Sequence, residues 1–82
     1  MRLTSKQYQV LQILNSWHQD FRGPSEIGTV AGKTYNHASS WAIGALKPLH
    51  AAWLVERSPD GHYRITLAGQ EALHGAETEE GQ

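Results

Sequence analysis

The order of patterns between residues 24 and 73 constrains the fold of this chain more than any other feature of its sequence. A short helical segment at 24–31 and a longer amphipathic segment at 37–52 lead into two strand-like segments within 54–65. The strands flank a Ser-Pro-Asp-Gly turn, in which proline presets one turn angle and glycine accepts a positive φ. This succession predicts two helices followed by an antiparallel β-hairpin.

Two further helices, at 4–19 and from 67 to about 74, complete a predicted fold that is mainly α with a small β-hairpin, in the α+β class. Thr4 and Gln7 match a capping box, in which each side chain bonds the backbone amide of the other residue. Apolar residues follow at helical spacing: Val10, Leu11, Ile13, Leu14 and Trp17. Thr66 can cap the last helix, whose Leu67 and Leu73 we expect against the core.

The segment 37–52 carries an apolar stripe that predicts a buried face. The stripe consists of Ala38, Trp41, Ala42, Ala45, Leu46, Leu49, Ala52 and Trp53. Trp41 lies in the middle of the stripe, so we expect it to be buried and to anchor this helix to the first one. Pro48 removes an amide donor and presses on the carbonyl of Gly44, which predicts a kink or a break near Lys47.

Length, composition and charge indicate one small domain. The 82 residues allow one modest core, which we expect within 1–76, followed by an acidic, disordered tail at 77–82. The chain has no cysteine, which suits a reducing cytoplasm, and no apolar run of the roughly 20 residues that span a membrane. The net charge is −1, but without the three tail glutamates five acidic residues face seven basic ones, a net of +2. This weakly basic body gives limited support to a nucleic-acid partner.

Patterns for catalysis or cofactor binding fail. The segment 28–34, Gly-Thr-Val-Ala-Gly-Lys-Thr, is too short between its glycines for a phosphate-binding P-loop and follows no buried strand. The five histidines show no metal-ligand spacing and have no cysteine partners. A core this small leaves little concavity for a catalytic pocket. We therefore expect no enzymatic activity, no metal site and no cofactor.

The sequence LKPLHAAWLVERSPDGHYRITLAG at 46–69 is similar to the winged helix-turn-helix superfamily, in the style of MarR-like and related small prokaryotic and phage regulators. The resemblance covers roughly 24–73. It implies a DNA-binding transcriptional regulator that places helix 37–52 in the major groove and hairpin 54–65 on the adjacent backbone. The chain departs from the family in lacking an arginine on the recognition helix and long terminal helices. It also has Trp53 where glycine is usual.

A left-handed tryptophan is costly. We therefore expect either that the helix ends differently here or that Trp53 fills a hydrophobic gap.

The resemblance also implies a set of DNA-facing residues. The turn and the recognition helix contribute Lys33, Thr34, Tyr35, Asn36, His37, Ser39, Ser40 and Lys47, and the wing contributes Arg57, His62 and Arg64. Asparagine can read adenine bidentately, while serine, lysine and arginine can contact bases or phosphates. Asn36 also has a structural interpretation as the N-cap of its helix, and the two roles are compatible. We expect Lys6, on the first helix, to lie outside this set.

Two classes of function remain open. The polar start of helix 37–52 and the arginines around the wing favour a regulator whose partner is double-stranded DNA. The weak basic charge and the arginine-free recognition face favour a protein-interaction module, such as an assembly subunit or a phage-encoded inhibitor of a host complex. Between the two we favour the DNA-binding regulator. We expect a cytoplasmic protein with no membrane partner, either a monomer or a weak homodimer.

Overall fold

The structure, a computed structural model, describes residues 3–17 and 20–80, with side chains described as far as residue 75. Within these residues it contains four helices and one two-stranded antiparallel sheet. In chain order the elements are α1 (Ser5–Ser16), α2 (Pro24–Val30), α3 (Tyr35–Ala51), β1 (Val55–Arg57), β2 (Tyr63–Ile65) and α4 (Leu67–Glu80). This architecture confirms the predicted α+β class.

Helix α1 begins where its capping signal predicts. Thr4 Oγ1 accepts a hydrogen bond from the amide of Gln7 at 3.1 Å, and Gln7 Oε1 accepts one from the amide of Thr4 at 3.0 Å. The helix ends at Ser16, and residues 18 and 19 of the predicted helix lie outside the described part of the chain. Its apolar face enters the core with Val10, Leu11, Ile13 and Leu14.

Helices α2 and α3 pack backbone against backbone because a glycine stands where they cross. A Cβ added at Gly28 would overlap the backbone of Ala38, so any side chain at this position would push the two helices apart. Gly32 follows α2 with a φ of 87°, the left-handed conformation predicted for it. The side of α3 that faces the core is lined largely by small residues: Ala38, Ala42 and Ala45.

Helix α3 begins two residues earlier than predicted. Thr34 holds the N-cap position with an extended backbone, and Asn36 is already the second residue of the helix. The interpretation of Asn36 as the N-cap is therefore wrong. The helix also continues through Pro48 to Ala51 without the predicted break. Because proline removes a single amide donor and lies in the last turn, little of the helix is left to disrupt.

The end of α3 is a left-handed turn at Trp53, whose φ is 64°. The amides of Trp53 and Leu54 donate to the carbonyls of His50 and Leu49 at 3.1 and 3.0 Å, which is the Schellman pattern that usually places glycine at this position. Trp53 is 78% exposed. Both expectations for this residue are wrong, since the glycine-type ending is kept and the indole lies in solvent instead of filling a gap.

Strands β1 and β2 confirm the predicted hairpin. Their register sets Val55 opposite Ile65, Glu56 opposite Arg64 and Arg57 opposite Tyr63. A further bridge, which the sequence patterns did not predict, joins Arg22 to the other edge of β2: the amides of Arg22 and Tyr63 donate to each other's carbonyls at 2.9 and 2.8 Å. The segment before α2 is thereby fixed to the hairpin.

Helix α4 closes the core from the other end of the hairpin. Thr66 Oγ1 accepts from the amide of Gly69 at 3.0 Å, which confirms the predicted cap. A Cβ at Gly69 would overlap the carbonyl oxygen of Leu54, so glycine lets α4 approach the start of β1. Leu73 is buried as predicted, but Leu67 is 71% exposed and its predicted core position is wrong.

The C-terminal part of α4 extends beyond the predicted helix, since its backbone remains helical as far as Glu80. Disorder of the tail at 77–82 stays a prediction, and residues 81 and 82 lie outside the described residues.

Candidate nucleic-acid interface

Helix α3 presents a polar stripe to solvent, opposite its alanine-lined buried side. The exposed residues of the stripe are Asn36, His37, Ser40, Gly44 and Lys47, with Ser39 and Ile43 partly buried at its edge. Ser40 Oγ donates to the carbonyl of His37 at 3.2 Å, whereas the Asn36 side chain makes no hydrogen bond with any described residue. The amide of Asn36 and the ammonium of Lys47 are therefore available to a ligand.

The turn between α2 and α3 holds three of the predicted site residues in solvent. Lys33, Thr34 and Tyr35 are all exposed, and Tyr35 reaches 88%. The Thr34 side chain makes no capping hydrogen bond, although its backbone occupies the N-cap position. Beside Tyr35 lies an open depression of about 320 Å³, lined by Ser25, Glu26, Thr29, Val30 and Tyr35. Thr34 and Tyr35 thus present a hydroxyl group and an aromatic ring to solvent at the start of α3.

Trp41 lies at the edge of the core beside two lysines. Its side chain is half-buried and packs against the core cluster, and the ammonium nitrogens of Lys6 and Lys33 each lie 5.1 Å from the centroid of its ring. The expected full burial of Trp41 is therefore wrong. The predicted contact with α1 is present, but it is made through Lys6 and not through the apolar face of α1 alone.

Lys6 lies beside α3, although the sequence predicted that it would be outside the DNA-facing set. A Cβ added at Gly44 would lie 2.9 Å from Lys6 Nζ, so this ammonium rests on the exposed surface of α3. One signal was present in the sequence: a glycine inside an exposed helix costs about 1 kcal/mol relative to alanine, which can mark a close approach by another group. The pattern did not identify Lys6 as that group, because the crossing of α1 and α3 is set by tertiary packing.

The two arginines of the hairpin lie on opposite faces. Arg57 pairs with Tyr63, whose ring meets His50 of α3 edge to face with the ring centroids 6.4 Å apart. Arg64 points from the other face, where it forms an ion pair with Glu56 and lies 4.6 Å from the ring centroid of Phe21. The guanidinium of Arg57 lies at the turn of the hairpin, since a Cβ added at Gly61 would be 3.5 Å from Nη2, whereas Arg64 is engaged in internal contacts.

His62 lies with Arg64 and not with the stripe of α3. A Cβ at Gly23 would lie 3.5 Å from the imidazole of His62, so the ring packs beside the chain that precedes α2. The backbone amide of His62 donates to Ser58 Oγ at 3.1 Å, within the turn of the hairpin. The structure therefore brings most of the predicted set together around α3, with Arg57 at its border, and places His62 and Arg64 on the opposite face of the hairpin.

Charged residues are sorted between the surroundings of α3 and the rest of the molecule. Arg22 forms ion pairs with Asp20 and Glu26 at 3.7 and 3.0 Å, and Arg64 is held by Glu56. The other basic side chains in the described part of the chain form no ion pair there: Lys6, Lys33, Lys47 and Arg57. Helix α3 itself contains no acidic residue. Unpaired cations gathered beside an acid-free helix suit the binding of a polyanion.

Other kinds of site find less support in the described side chains. None of the described residues form a group of three or more histidine or acidic side chains close enough to hold a metal ion. No helix in the described part of the chain is long and apolar enough to cross a membrane.

Comparisons with protein-family models, with curated proteins and with solved structures find no match to this chain. The residues and contacts described above therefore carry the functional inference.

Proposed function

We propose that this chain is a winged helix-turn-helix protein that binds double-stranded DNA and acts as a transcriptional regulator. The observation that carries the proposal is the sorting of charge. The unpaired cations Lys6, Lys33 and Lys47 lie on or beside an acid-free helix, and the unpaired Arg57 lies on the hairpin that follows it. The other two described arginines are held in ion pairs. Neutralisation of backbone phosphates by such cations supplies most of the non-specific affinity of a DNA-binding protein.

The arrangement of the elements supports the winged helix. Helices α2 and α3 are joined by a short turn and pack closely at Gly28, as the two helices of a helix-turn-helix do. The hairpin of β1 and β2 follows α3 directly, in the position of a wing. The bridge between Arg22 and Tyr63 fixes the segment before α2 to this hairpin, so the helix pair and the hairpin are held in one unit.

The chemistry of the exposed stripe fits readout in the major groove. The free amide of Asn36 has the donor and acceptor that pair with N6 and N7 of adenine, and Ser40 can donate to a base or a phosphate. Lys47, two helical turns beyond Ser40, can contact a guanine edge or a phosphate. Arg57, at the turn of the hairpin, would contact the neighbouring backbone. Phosphate contacts would position α3, and the polar stripe would select the sequence.

The test is binding of a fluorescently labelled duplex at several salt concentrations, read by anisotropy. With two to four phosphates neutralised, we expect the logarithm of the association constant to fall with the logarithm of salt concentration with a slope of about −2 to −4. Lys47→Gln should weaken binding about fivefold at ~0.1 M salt. Arg22→Gln is the matched control, because Arg22 is already paired with Asp20 and Glu26 and should not be needed for DNA. Equal losses in both variants would indicate diffuse attraction, and absence of binding at low salt would contradict the proposal.

One observation favours a second candidate function, a protein-interaction module. Trp53 and Leu67 are 78% and 71% exposed. The residue before Leu67 is hydrogen-bonded to Trp53, because the hydroxyl of Thr66 donates to the carbonyl of Trp53 at 2.8 Å. This hydrogen bond brings the two segments together, and apolar side chains exposed on neighbouring segments can form an interaction surface. Under this alternative, Trp53→Ala should abolish association with the partner while the substitution at Lys47 has no effect. Under the DNA proposal, Trp53→Ala should leave the affinity for duplex DNA unchanged.

A further inference from the structure

We infer that Lys6 and Lys33 together form a binding site for one backbone phosphate of DNA, held in place by Trp41 and Gly44. The inference rests on the proposed function and deepens it, because it adds a residue of α1 to the interface and assigns these two lysines one shared ligand. The ligand is a phosphodiester group beside the N-terminal half of α3.

Trp41 brings the two lysines together from different parts of the chain. Lys6 belongs to α1 and Lys33 to the turn before α3, yet each ammonium nitrogen lies 5.1 Å from the same ring centroid. The two nitrogens are therefore no further apart than twice that distance. The ring is itself fixed, because Trp41 packs against the core cluster on its buried side. The attraction of an ammonium for the indole ring orders two side chains that would otherwise be mobile.

Gly44 provides room for Lys6 on the surface of α3. Among described atoms outside its own neighbourhood in the helix, those that a Cβ at Gly44 would meet belong to Lys6, with Nζ at 2.9 Å and Cε at 3.9 Å. A glycine at an exposed helical position gains nothing for the helix itself. Its effect here is that the Lys6 ammonium can lie directly on the helix that faces the proposed ligand.

The charge balance of the site is incomplete in the free protein. Neither ammonium forms an ion pair with a described residue, and α3, on which Lys6 lies, has no acidic side chain. Two like charges held near one ring repel each other, and the ring compensates only part of this repulsion. A single anion between or above the two ammoniums would remove the repulsion, so the site favours a negatively charged ligand.

The ligand is a phosphate and not a base. An ammonium is a compact charge with rotatable donors, which suits a phosphate oxygen better than the planar edge of a base. The indole is half-buried and has lysines beside it, so it is poorly placed to stack on an unpaired base. The exposed stripe of Asn36, Ser40 and Lys47 remains the base-reading surface, with the two-lysine site beside it on the side of α1.

The first experiment measures duplex binding by Lys6→Gln, Lys33→Gln and the double variant across a salt series, with Arg22→Gln as the control. One shared phosphate predicts that the salt slope falls by about 1 in the double variant, not by 2, and that affinity falls about five- to tenfold at ~0.1 M salt. If Lys47→Gln weakens binding while the double variant equals the parent, the two-lysine site is wrong and the proposed function stands. If the parent itself fails to bind DNA, both fail.

The second experiment moves Lys6 without removing its charge. Gly44→Ala places a methyl group against the flexible end of Lys6, which must shift away, and it should not lower the melting temperature because alanine favours the helix. We expect the affinity for DNA to fall about threefold, because the displaced Lys6 ammonium makes a weaker contact with the phosphate. The same substitution in the Lys6→Gln background should cause no further loss. A further loss of equal size there would mean that the methyl group obstructs DNA directly, and the positioning role of Gly44 would be rejected.

A third measurement separates DNA from an acidic protein segment as the ligand. The indole N–H resonance of Trp41, assigned by Trp41→Phe, should shift when a short duplex is added, and it should shift less with a poly-glutamate peptide of equal total charge at the same ionic strength. The indole resonance of Trp53, after the end of α3, serves as the internal reference. A shift with the peptide that equals or exceeds the shift with the duplex would overturn the assignment of a phosphate ligand.

Discussion

Trp41 and Trp53 stand in the middle of α3 and directly after its end, and the fold uses them in opposite ways. Trp41 packs its ring against the core and has the ammonium groups of two lysines over that ring. Trp53 has a left-handed backbone and an indole in solvent. Both residues belong to the apolar stripe in the sequence, so the stripe alone does not separate them. The difference shows that the backbone conformation at a helix end decides whether an apolar residue reaches the core.

The two tryptophans also make opposite contributions to stability. The partial burial of the Trp41 indole against the core stabilises the fold, because apolar area is removed from water. A left-handed non-glycine residue costs roughly 1–2 kcal/mol, and the exposed indole of Trp53 recovers little of it. The Trp41 region therefore holds the fold and the proposed interface together, whereas the Trp53 region carries strain that the fold itself does not need.

The largest expected effect comes from Trp41→Ala. Truncation of a fully buried aromatic residue costs about 3–5 kcal/mol, and the partial exposure of Trp41 reduces this to about 2–4 kcal/mol. Urea denaturation of the variant and the parent measures the loss in the free energy of unfolding. Trp53→Ala is the matched control and should change it by less than about 0.5 kcal/mol. Equal losses in the two variants would remove the distinction between the two residues.

The next effect has the opposite sign. Trp53→Gly should raise the free energy of unfolding by roughly 1 kcal/mol, because glycine adopts the left-handed turn without strain. In a domain of this size that corresponds to about 4–8 °C in the melting temperature, measured by calorimetry. The change should leave DNA affinity as it is in the parent. A lower melting temperature would show that the indole makes stabilising contacts that its exposure does not reveal.

Local signals in the sequence predicted most of the elements. The capping box at Thr4 and Gln7, the Ser-Pro-Asp-Gly turn and the left-handed Gly32 each act over a few residues, and each is confirmed. Trp53 tested the limit of such signals. The chain keeps the Schellman turn although tryptophan is unfavourable in it, because the hydrogen bonds to Leu49 and His50 and the start of β1 fix the backbone.

The candidate site was less predictable because it depends on contacts between elements. Lys6 is beside α3 only through the packing of α1, which no local pattern encodes. The ion pair of Arg64 could be predicted from the sequence. The hairpin register sets Glu56 opposite Arg64, and opposite charges in such cross-strand pairs attract. The pairing of Glu56 with Arg64 therefore makes Arg57 the better candidate for a phosphate contact.

The hairpin also contains one unpaired and one paired residue, Arg57 and Arg64. We expect their substitutions to have effects of intermediate size on DNA binding. Arg57→Gln should weaken binding of duplex DNA about fivefold at ~0.1 M salt, because Arg57 is exposed at the turn of the hairpin without an acidic partner. Arg64→Gln should weaken it less than about twofold, because its guanidinium is held by Glu56 and Phe21. Anisotropy titrations of both variants provide the comparison. A larger loss for Arg64 would place the outer face of the hairpin against DNA.

The smallest expected effect distinguishes two histidines in the same way. His37 lies on the exposed stripe of α3, whereas His62 packs beside Gly23 on the far face of the hairpin. A neutral imidazole keeps one N–H donor, which at His37 can reach a phosphate oxygen and at His62 cannot. We expect His37→Ala to weaken the binding of duplex DNA about twofold at ~0.1 M salt, because one phosphate contact is lost. His62→Ala should keep the affinity of the parent, and anisotropy titrations of both variants at constant pH and salt measure the difference. A loss in His62→Ala with parental affinity in His37→Ala would mean that DNA approaches the hairpin from its outer face, and the orientation proposed for α3 would have to be reversed.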